Sequence, residues 1–479
     1  MLGFMLLLGF VGSCCAQKQI FVYPSIVEER TATNNIVLRL NDELTLNLER
    51  SSVLADNLLF VTRQFSGHHY KMIDTTRIQE NLYHDSHQQS SLYVTHEGGE
   101  LQVEGIVNHT MRIKPLRQSE RSSTGQVLHS IYEVQQIRTG YENALPYKPS
   151  GPGRLQNVIY NILNPTTRAP RHVPNFVVEL HVISDERHQE PFKKDEYLVE
   201  YIAVMLNAVN RIFLDMRNPT ISFKLVGLTR STNDTFASPI LDTLESVETL
   251  QGLANYTRDN GTLNNADLVY LITGGDLATL RNKSVLDKGV AGLAYVGTVC
   301  TENAVAEGED IAKSYAGVTT MAHELAHTLG ARHDPQDDPE CSWSHGFLMS
   351  YEDKGSNKYR LSTCSQSNIR HVVERLPEDC INEKANEALA ANETSLPGDM
   401  IVRNYYCRKI LKKNGRGYFK FEQDPNNLCK LQCHYEKPNV TASTWYITVD
   451  MPEGMWCGDE KTCQRGNCIE ATHTTTTQS

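Results

Sequence analysis

The sequence predicts an α/β fold: one domain with a twisted, mostly parallel sheet, a β-rich region before it and a small disulfide-rich module after it. Three observations carry this. Between residues 175 and 273 strand-like and helix-like runs alternate, an order that gives parallel strands joined by right-handed crossovers. Residues 17–171 contain no cysteine and show short alternating apolar patterns instead. From Leu396 onward the chain is polar, short-range and cysteine-dense. At 479 residues the chain is also too long for a single core.

Taken in order, residues 1–16 read as a signal peptide. "MLGFMLLLGFVGSCCAQ" is an apolar run from Leu2 to Val11 that ends in small residues, too short to cross a bilayer. Its n-region lacks the usual Lys or Arg. Residues 17–171 form the β-rich region. In "IVLRLNDELTLNLERS" Leu38 and Leu40 precede Asn41-Asp42, and Leu44, Leu46 and Leu48 follow, which is a hairpin pattern. "LQVEGIV" (Leu101 to Val107) alternates in the same way. At "TTRAPRHVPN" the character changes, and Arg168 and Arg171 make a minimal R-x-x-R, either a processing site or a basic loop.

The α/β domain covers residues 172–385. "NFVVELHVIS" (Asn175 to Ser184) is a β-branched strand. "DEYLVEYIAVMLNAVNRIFLDM" then sets Leu198, Ile202, Met205, Val209, Ile212 and Phe213 on one helical face behind Asp195 and Glu196. "TISFKLVGL" (Thr220 to Leu228) and "ADLVYLIT" (Ala266 to Thr273) are further strands of a buried sheet. Residues 386–396 read as a linker, 397–471 as the cysteine-rich module and 472–479 as a Thr-rich tail.

Composition bounds the function. The net charge of -11 argues against a nucleic-acid or anionic-membrane surface. Beyond the leader no stretch reads as the run of about 18 apolar residues that a membrane span requires. The twelve cysteines divide into Cys14 and Cys15 in the leader, four between Cys300 and Cys380, and six between Cys407 and Cys468. Each cluster after the leader is even, as disulfides in an oxidising compartment require. Seven N-x-S/T sequons agree with a secreted chain: Asn108, Asn233, Asn255, Asn260, Asn282, Asn392 and Asn439. Nothing in the sequence sets the oligomeric state.

The chemistry concentrates in "MAHELAHTLGARHDP", Met321 to Pro335. His323 and His327 are four apart and leave one face of a helix, with Glu324 beside them. Met321, Leu325 and Leu329 make an apolar stripe on the other side. Gly330 can take positive φ, so the helix ends and the chain turns to bring in His333. Three neutral imidazoles leave a fourth tetrahedral position open, the mark of a catalytic Zn2+ ion, and Glu324 fits a general base. The pattern H-E-x-x-H-x-x-G-x-x-H arises by chance in a chain of this composition with a probability of about 10⁻⁴.

These residues resemble the long zinc motif of the metzincin endopeptidases, and Asp334 after the third histidine resembles the reprolysin (adamalysin) branch. "HGFLMSYED" places Met349 where the family's methionine turn would lie. "FVYPSIVEER", "LNDELTLNLERSS", "ENLYHD", "NADLVYLITG" and "GLAYVGTVC" are similar to reprolysin-like metalloproteases of tick saliva. The resemblance implies a metzincin-type catalytic domain after a β-rich prodomain, and disulfides Cys300–Cys380 and Cys341–Cys364. It also implies that Gly292 to Val299 is an edge strand that pairs with extended substrate.

By the same resemblance the substrates are proteins of the extracellular matrix or blood plasma, such as fibrinogen or fibronectin, in an anti-haemostatic salivary role. Many relatives are kept latent by a prodomain cysteine, but Gln17 to Val299 holds none. Latency is therefore expected from occlusion of the cleft, ending with a cut near Arg171. The module from Cys407 to Cys468 resembles disintegrin-like or cysteine-rich appendages, a substrate-docking exosite or a structural cap. Its "RGN" (Arg465 to Asn467) is a near-miss to an integrin-binding RGD. The rival reading is an adhesion antagonist that acts by binding rather than by proteolysis.

Overall fold

The computed structural model describes residues 19–134, 169–382 and 406–470, except 31–34, 65–66, 120, 233, 260–262, 264–265, 282–284, 353, 408–409, 412–417, 437–444, 453 and 459–460. The expected leader, the linker at 386–396 and the tail at 472–479 lie outside the described residues.

The alternation around Asn41-Asp42 is a hairpin: Asn35–Arg39 pairs antiparallel with Thr45–Arg50, with Leu38 opposite Leu46. It belongs to a nine-stranded antiparallel sheet drawn from residues 19–50 and 82–133. The period-2 pattern turns Leu38, Leu46 and Leu48 onto Val103, Ile113 and Ile131, which form the sheet's own core.

The hairpin between these two stretches goes elsewhere. Strands β1 (Leu54–Gln64) and β2 (Gly67–Asp74) join the central sheet. The other members are β3 (Asn175–Ser184), β4 (Thr220–Ser231), β5 (Leu268–Thr273), β6 (Gly292–Ala294) and β7 (Val305–Glu309). Their order across the sheet is β6-β7-β5-β3-β4-β1-β2. The inner pairs are parallel, and the outermost strands β6 and β2 run antiparallel to their neighbours. The boundary expected at residue 171 therefore does not divide the sheet, since two of its seven strands precede it. Without them β4 would end a largely apolar parallel sheet with its backbone groups unpaired.

Helix α1 (Asp195–Ile212) is buried on almost every side because both sheets use it. Leu198, Ile202, Met205 and Val209 share one core with Val53, Leu54, Leu58 and Phe60 from β1 and its approach, and with Phe176 and Val178 of β3. On its other flank Ser91 Oγ donates to Val204 O (2.8 Å) and Asn207 Nδ2 to Tyr83 O (3.1 Å). The segment Asp195–Asp215 has the length and apolarity of a membrane span, contrary to the sequence reading, and 78% of that window is buried within the fold. Its apolarity answers to two packed faces. Helix α2 (Ser246–Asp259) covers the opposite face of the central sheet with Leu250 and Leu253 against Ile183, Leu271 and Val305.

The C-terminal module is held by Cys407–Cys433, Cys429–Cys463 and Cys457–Cys468. Its small core, with Leu431, Val449 and Met451, also takes in Val37 from the outer face of the N-terminal sheet. Asn47 Nδ2 reaches Tyr406 Oη (3.3 Å), and Gln88 Nε2 donates to Asp450 Oδ2 (2.6 Å) across the same contact.

Candidate metal centre

Helix α3 (Val318–Thr328) presents one face to the core through Met321, Leu325 and Leu329. Its entry is anchored: the Gly317 N–H donates to Asp310 Oδ1 (2.7 Å), while Tyr201 Oη (2.6 Å) and His188 Nε2 (3.0 Å) hold Asp310 Oδ2. At its end Gly330 has φ +110, and a Cβ there would sit 2.5 Å from Val372 Cγ2, so only glycine fits. The turn brings His333 back beside His323 and His327.

The three Nε2 atoms converge, with His333 Nε2 3.2 Å from that of His323 and 3.2 Å from that of His327. On the far side of the rings, His323 Nδ1 lies 2.8 Å from Leu348 O and His327 Nδ1 lies 2.8 Å from Ala331 O. A carbonyl can only accept, so each of these Nδ1 atoms carries the proton and each Nε2 offers a lone pair. His333 Nδ1 is 2.8 Å from Tyr351 Oη. Burial lowers all three basicities: His323 to well below the usual imidazole range, His327 to about 4 and His333 to about 3. Neutral imidazoles with converging Nε2 atoms, two of them with tautomers fixed by carbonyls, fit a tetrahedral zinc ion with one position left over.

Glu324 lies on the same helix, buried, with its carboxyl pushed well above the usual carboxylate range by burial. It rests against β6: a Cβ at Gly292 would lie 2.8 Å from Glu324 Cγ. Gly292 pairs with Gly308, so two glycines line the strands beside the carboxylate. The strand expected from Gly292 to Val299 is shorter than that, ending at Ala294, after which the chain turns and Gly297 N donates to His327 O (2.8 Å).

Met349 is fully buried in a turn in which Ser350 N bonds Phe347 O (2.9 Å), directly after the Leu348 carbonyl that holds His323. Asp334 ties this turn to His333, its N–H donating to Met349 O (2.9 Å). Its Oδ1 accepts from Ser362 Oγ (2.5 Å) at the start of helix α4 (Thr363–Val373) and from Ser365 Oγ (3.3 Å). Burial raises the Asp334 carboxyl, and these two hydroxyls oppose the rise. Cys300 is bonded to Cys380 and Cys341 to Cys364.

Other expected sites are scattered. The Arg171 N–H is held by Glu374 O (3.0 Å), while Arg168 lies outside the described residues. Asn108 is half-buried in a turn and Asn255 is exposed on α2; Asn233, Asn260, Asn282, Asn392 and Asn439 lie outside the described residues. Tyr351, and the packing of Gly292 against Glu324, escaped the sequence reading. Tyr351 follows Met349 by two in "LMSYED". No local pattern marks Gly292, which matters only because α3 crosses it.

Residues 175–372 match the family model for metallo-peptidase family M12, reprolysin type. An antarease-like venom metalloproteinase of Tityus trivittatus is 25% identical over 390 residues, covering 76% of this chain and 94% of that one. An antarease venom metalloproteinase of Tityus serrulatus is 23% identical over 391 residues, with the same two coverages. A disintegrin and metalloproteinase with thrombospondin motifs like protein of Bombyx mori is 27% identical over 295 residues, covering 56% of this chain and 40% of its own. The crystal structure of metalloproteinase-II from Bacteroides fragilis aligns at TM-score 0.34 and 14% identity, covering 69% of this chain and 88% of that one, too distant to argue from. The segment 175–372 thus carries the features of a reprolysin-type metallopeptidase domain of family M12, and the chain is a metalloendopeptidase.

Proposed function

We propose that the chain is a secreted zinc endopeptidase in which His323, His327 and His333 hold the ion and Glu324 is the general base. The convergence of three Nε2 lone pairs, two of them enforced by carbonyls on the opposite ring nitrogen, carries this reading. When bound there, zinc would act as a Lewis acid and lower the pKa of its water. Glu324 takes a proton from the attacking water and hands it to the departing amine, a role its raised basicity suits. Extended substrate adds to β6 through backbone hydrogen bonds, leaving side-chain pockets to select the sequence.

Residues 17–171 act as a prodomain, 172–385 as the protease domain and 397–471 as an appended module, with Met349 as the methionine turn. All ten cysteines among the described residues are in disulfides, which supports latency by cover rather than by a thiol. A processing cut near Arg171 would have to free its backbone from Glu374. Venom relatives favour an extracellular setting, in which plasma or matrix proteins such as fibrinogen and fibronectin are the substrates and the role is anti-haemostatic.

The test is Glu324→Ala. Zinc content should stay at one ion per chain while peptide turnover falls roughly 10²- to 10⁴-fold. Undiminished turnover sinks the assignment of the base. A protein that binds adhesion receptors equally well with zinc stripped and cuts nothing would instead be the binding antagonist.

A further inference from the structure

The Arg465–Gly466 pair of the C-terminal module sits at the tip of a two-residue hairpin, closed by Gln464 opposite Asn467. Both tip residues have positive φ, +52 for Arg465 and +73 for Gly466, as a type I′ turn requires. Arginine is an unfavourable residue in that conformation, so something must hold it there. The strands on either side are stapled by Cys429–Cys463 and Cys457–Cys468. This "RGN" is not turned out towards a receptor. A Cβ on Gly466 would fall onto the His87 ring of the N-terminal region, and Arg465 reaches back into the protease.

There Arg465 Nη2 donates to Arg211 O (3.3 Å) in the last turn of α1, and Arg465 Nη1 pairs with Asp215 Oδ1 at 2.8 Å just past its end. The Asp215 side chain is only 6% exposed. It also takes Arg360 Nη2 (3.2 Å) on Oδ1 and the Leu361 N–H (3.1 Å) on Oδ2. The next bond in line is Leu348 N to Arg360 O (2.9 Å), and Leu348 O in turn faces His323 Nδ1 (2.8 Å). A path of hydrogen bonds, joined through the backbone of Arg360–Leu361 and of Leu348, thus runs from the tip of the module to His323.

We propose that Arg465 is a positioning residue for the metal centre, acting through Asp215 and the 348–361 loop on the imidazole of His323. The inference rests on the reading of His323 as a zinc ligand. A charge-assisted contact on a nearly buried carboxylate fixes both of its oxygens, and with them the loop whose carbonyl sets the His323 tautomer. It also gives the module a role in catalysis that needs no contact with substrate.

The experiment reads zinc retention against increasing dipicolinate on the full chain, and kcat and KM on a short peptide after processing near Arg171. Arg465→Ala should weaken zinc retention and lower kcat roughly three- to tenfold, KM changing little. Arg465→Lys should recover part of both, and Asp215→Asn should be the more severe single change. Combining Arg465→Ala with Asp215→Asn should add nothing to Asp215→Asn alone. Gln88→Ala loosens the module at its other contact and should leave zinc retention unchanged. An additive double variant, or equal loss from Gln88→Ala, overturns the proposal, as does unaltered zinc retention in Arg465→Ala. A wild-type chain that holds no zinc at all fails a different claim, the metal-site reading itself.

Discussion

The two edges of the central sheet are treated in opposite ways. At one edge β1 and β2 of the N-terminal region extend the sheet past β4, and Leu54, Leu58 and Phe60 sink into the same core as α1. At the other, β6 is three residues long, half-buried, and lies over Glu324, with no strand on its outer side among the described residues. An unpaired sheet edge is a template for any extended chain. The protein extends the edge far from His323, His327 and His333 with its own chain and leaves a short one beside the Glu324 carboxyl. One edge is covered by the chain itself, and the other keeps backbone groups that the proposed substrate pairing would use.

Breaking the far edge should have the largest effect. Phe60→Ala empties a fully buried site in the shared core and should cost about 3–5 kcal/mol, measured by denaturant unfolding. The same variant should leave KM unaltered, and a KM shift as large as the stability loss would mean that the two edges are not independent.

The near edge answers in kinetics instead. Gly292→Ala puts a methyl against Glu324 Cγ and Thr320 Cγ2 and should lower kcat roughly tenfold, about 1.4 kcal/mol, while the melting temperature hardly moves. Full activity in that variant would show that β6 can shift away from α3 without consequence.

Acidity should tune the contact between the N-terminal region and α1. Burial lifts the Glu200 carboxyl to about 7; the Tyr93 hydroxyl opposes this, and Glu104 from across the contact adds to it. A carboxyl raised in the folded state stabilises it when protonated, so the contribution is complete below about pH 4.5 and disappears as pH rises through about 7. Melting temperatures between pH 5 and pH 8 should therefore decline, and Glu200→Gln should flatten the decline by roughly 1 kcal/mol. An identical slope in the variant would remove Glu200 as its cause. The smallest effect belongs to the exposed Arg117–Glu97 pair, where Arg117→Ala should change stability by less than about 0.5 kcal/mol. A larger loss there would give surface charge a share in holding the N-terminal sheet.

Much of this was legible in one dimension. The strand Asn175–Ser184 and the helix Asp195–Ile212 follow from local period and β-branching, and the ligand helix from two histidines one turn apart. In the N-terminal region the hairpin around Asn41-Asp42 and the stretch Leu101 to Val107 were legible too, whereas Leu54–Gln64 and its pairing were not. Nothing in the alternation of "LADNLLFV" says whether it pairs with its neighbours in sequence or with Thr220–Ser231, more than 150 residues away. The apolar helix α1 likewise reads the same whether it is to be buried by two sheets or by lipid.

The sequence by itself determined which atoms could bind a metal, because spacings of four and six residues around Gly330 are set by backbone geometry. Only the tertiary structure decided that those atoms converge as lone pairs, that Glu324 lies under Gly292, and that Arg465 points inward to Asp215. The physical reason is one of range. A helical turn or a tight loop is fixed by the dihedral angles of a few residues, whereas the carbonyl that orients His323 arrives from 25 residues away and the arginine behind it from 142. Their meeting is selected by burial of the shared core, to which every layer of the fold contributes.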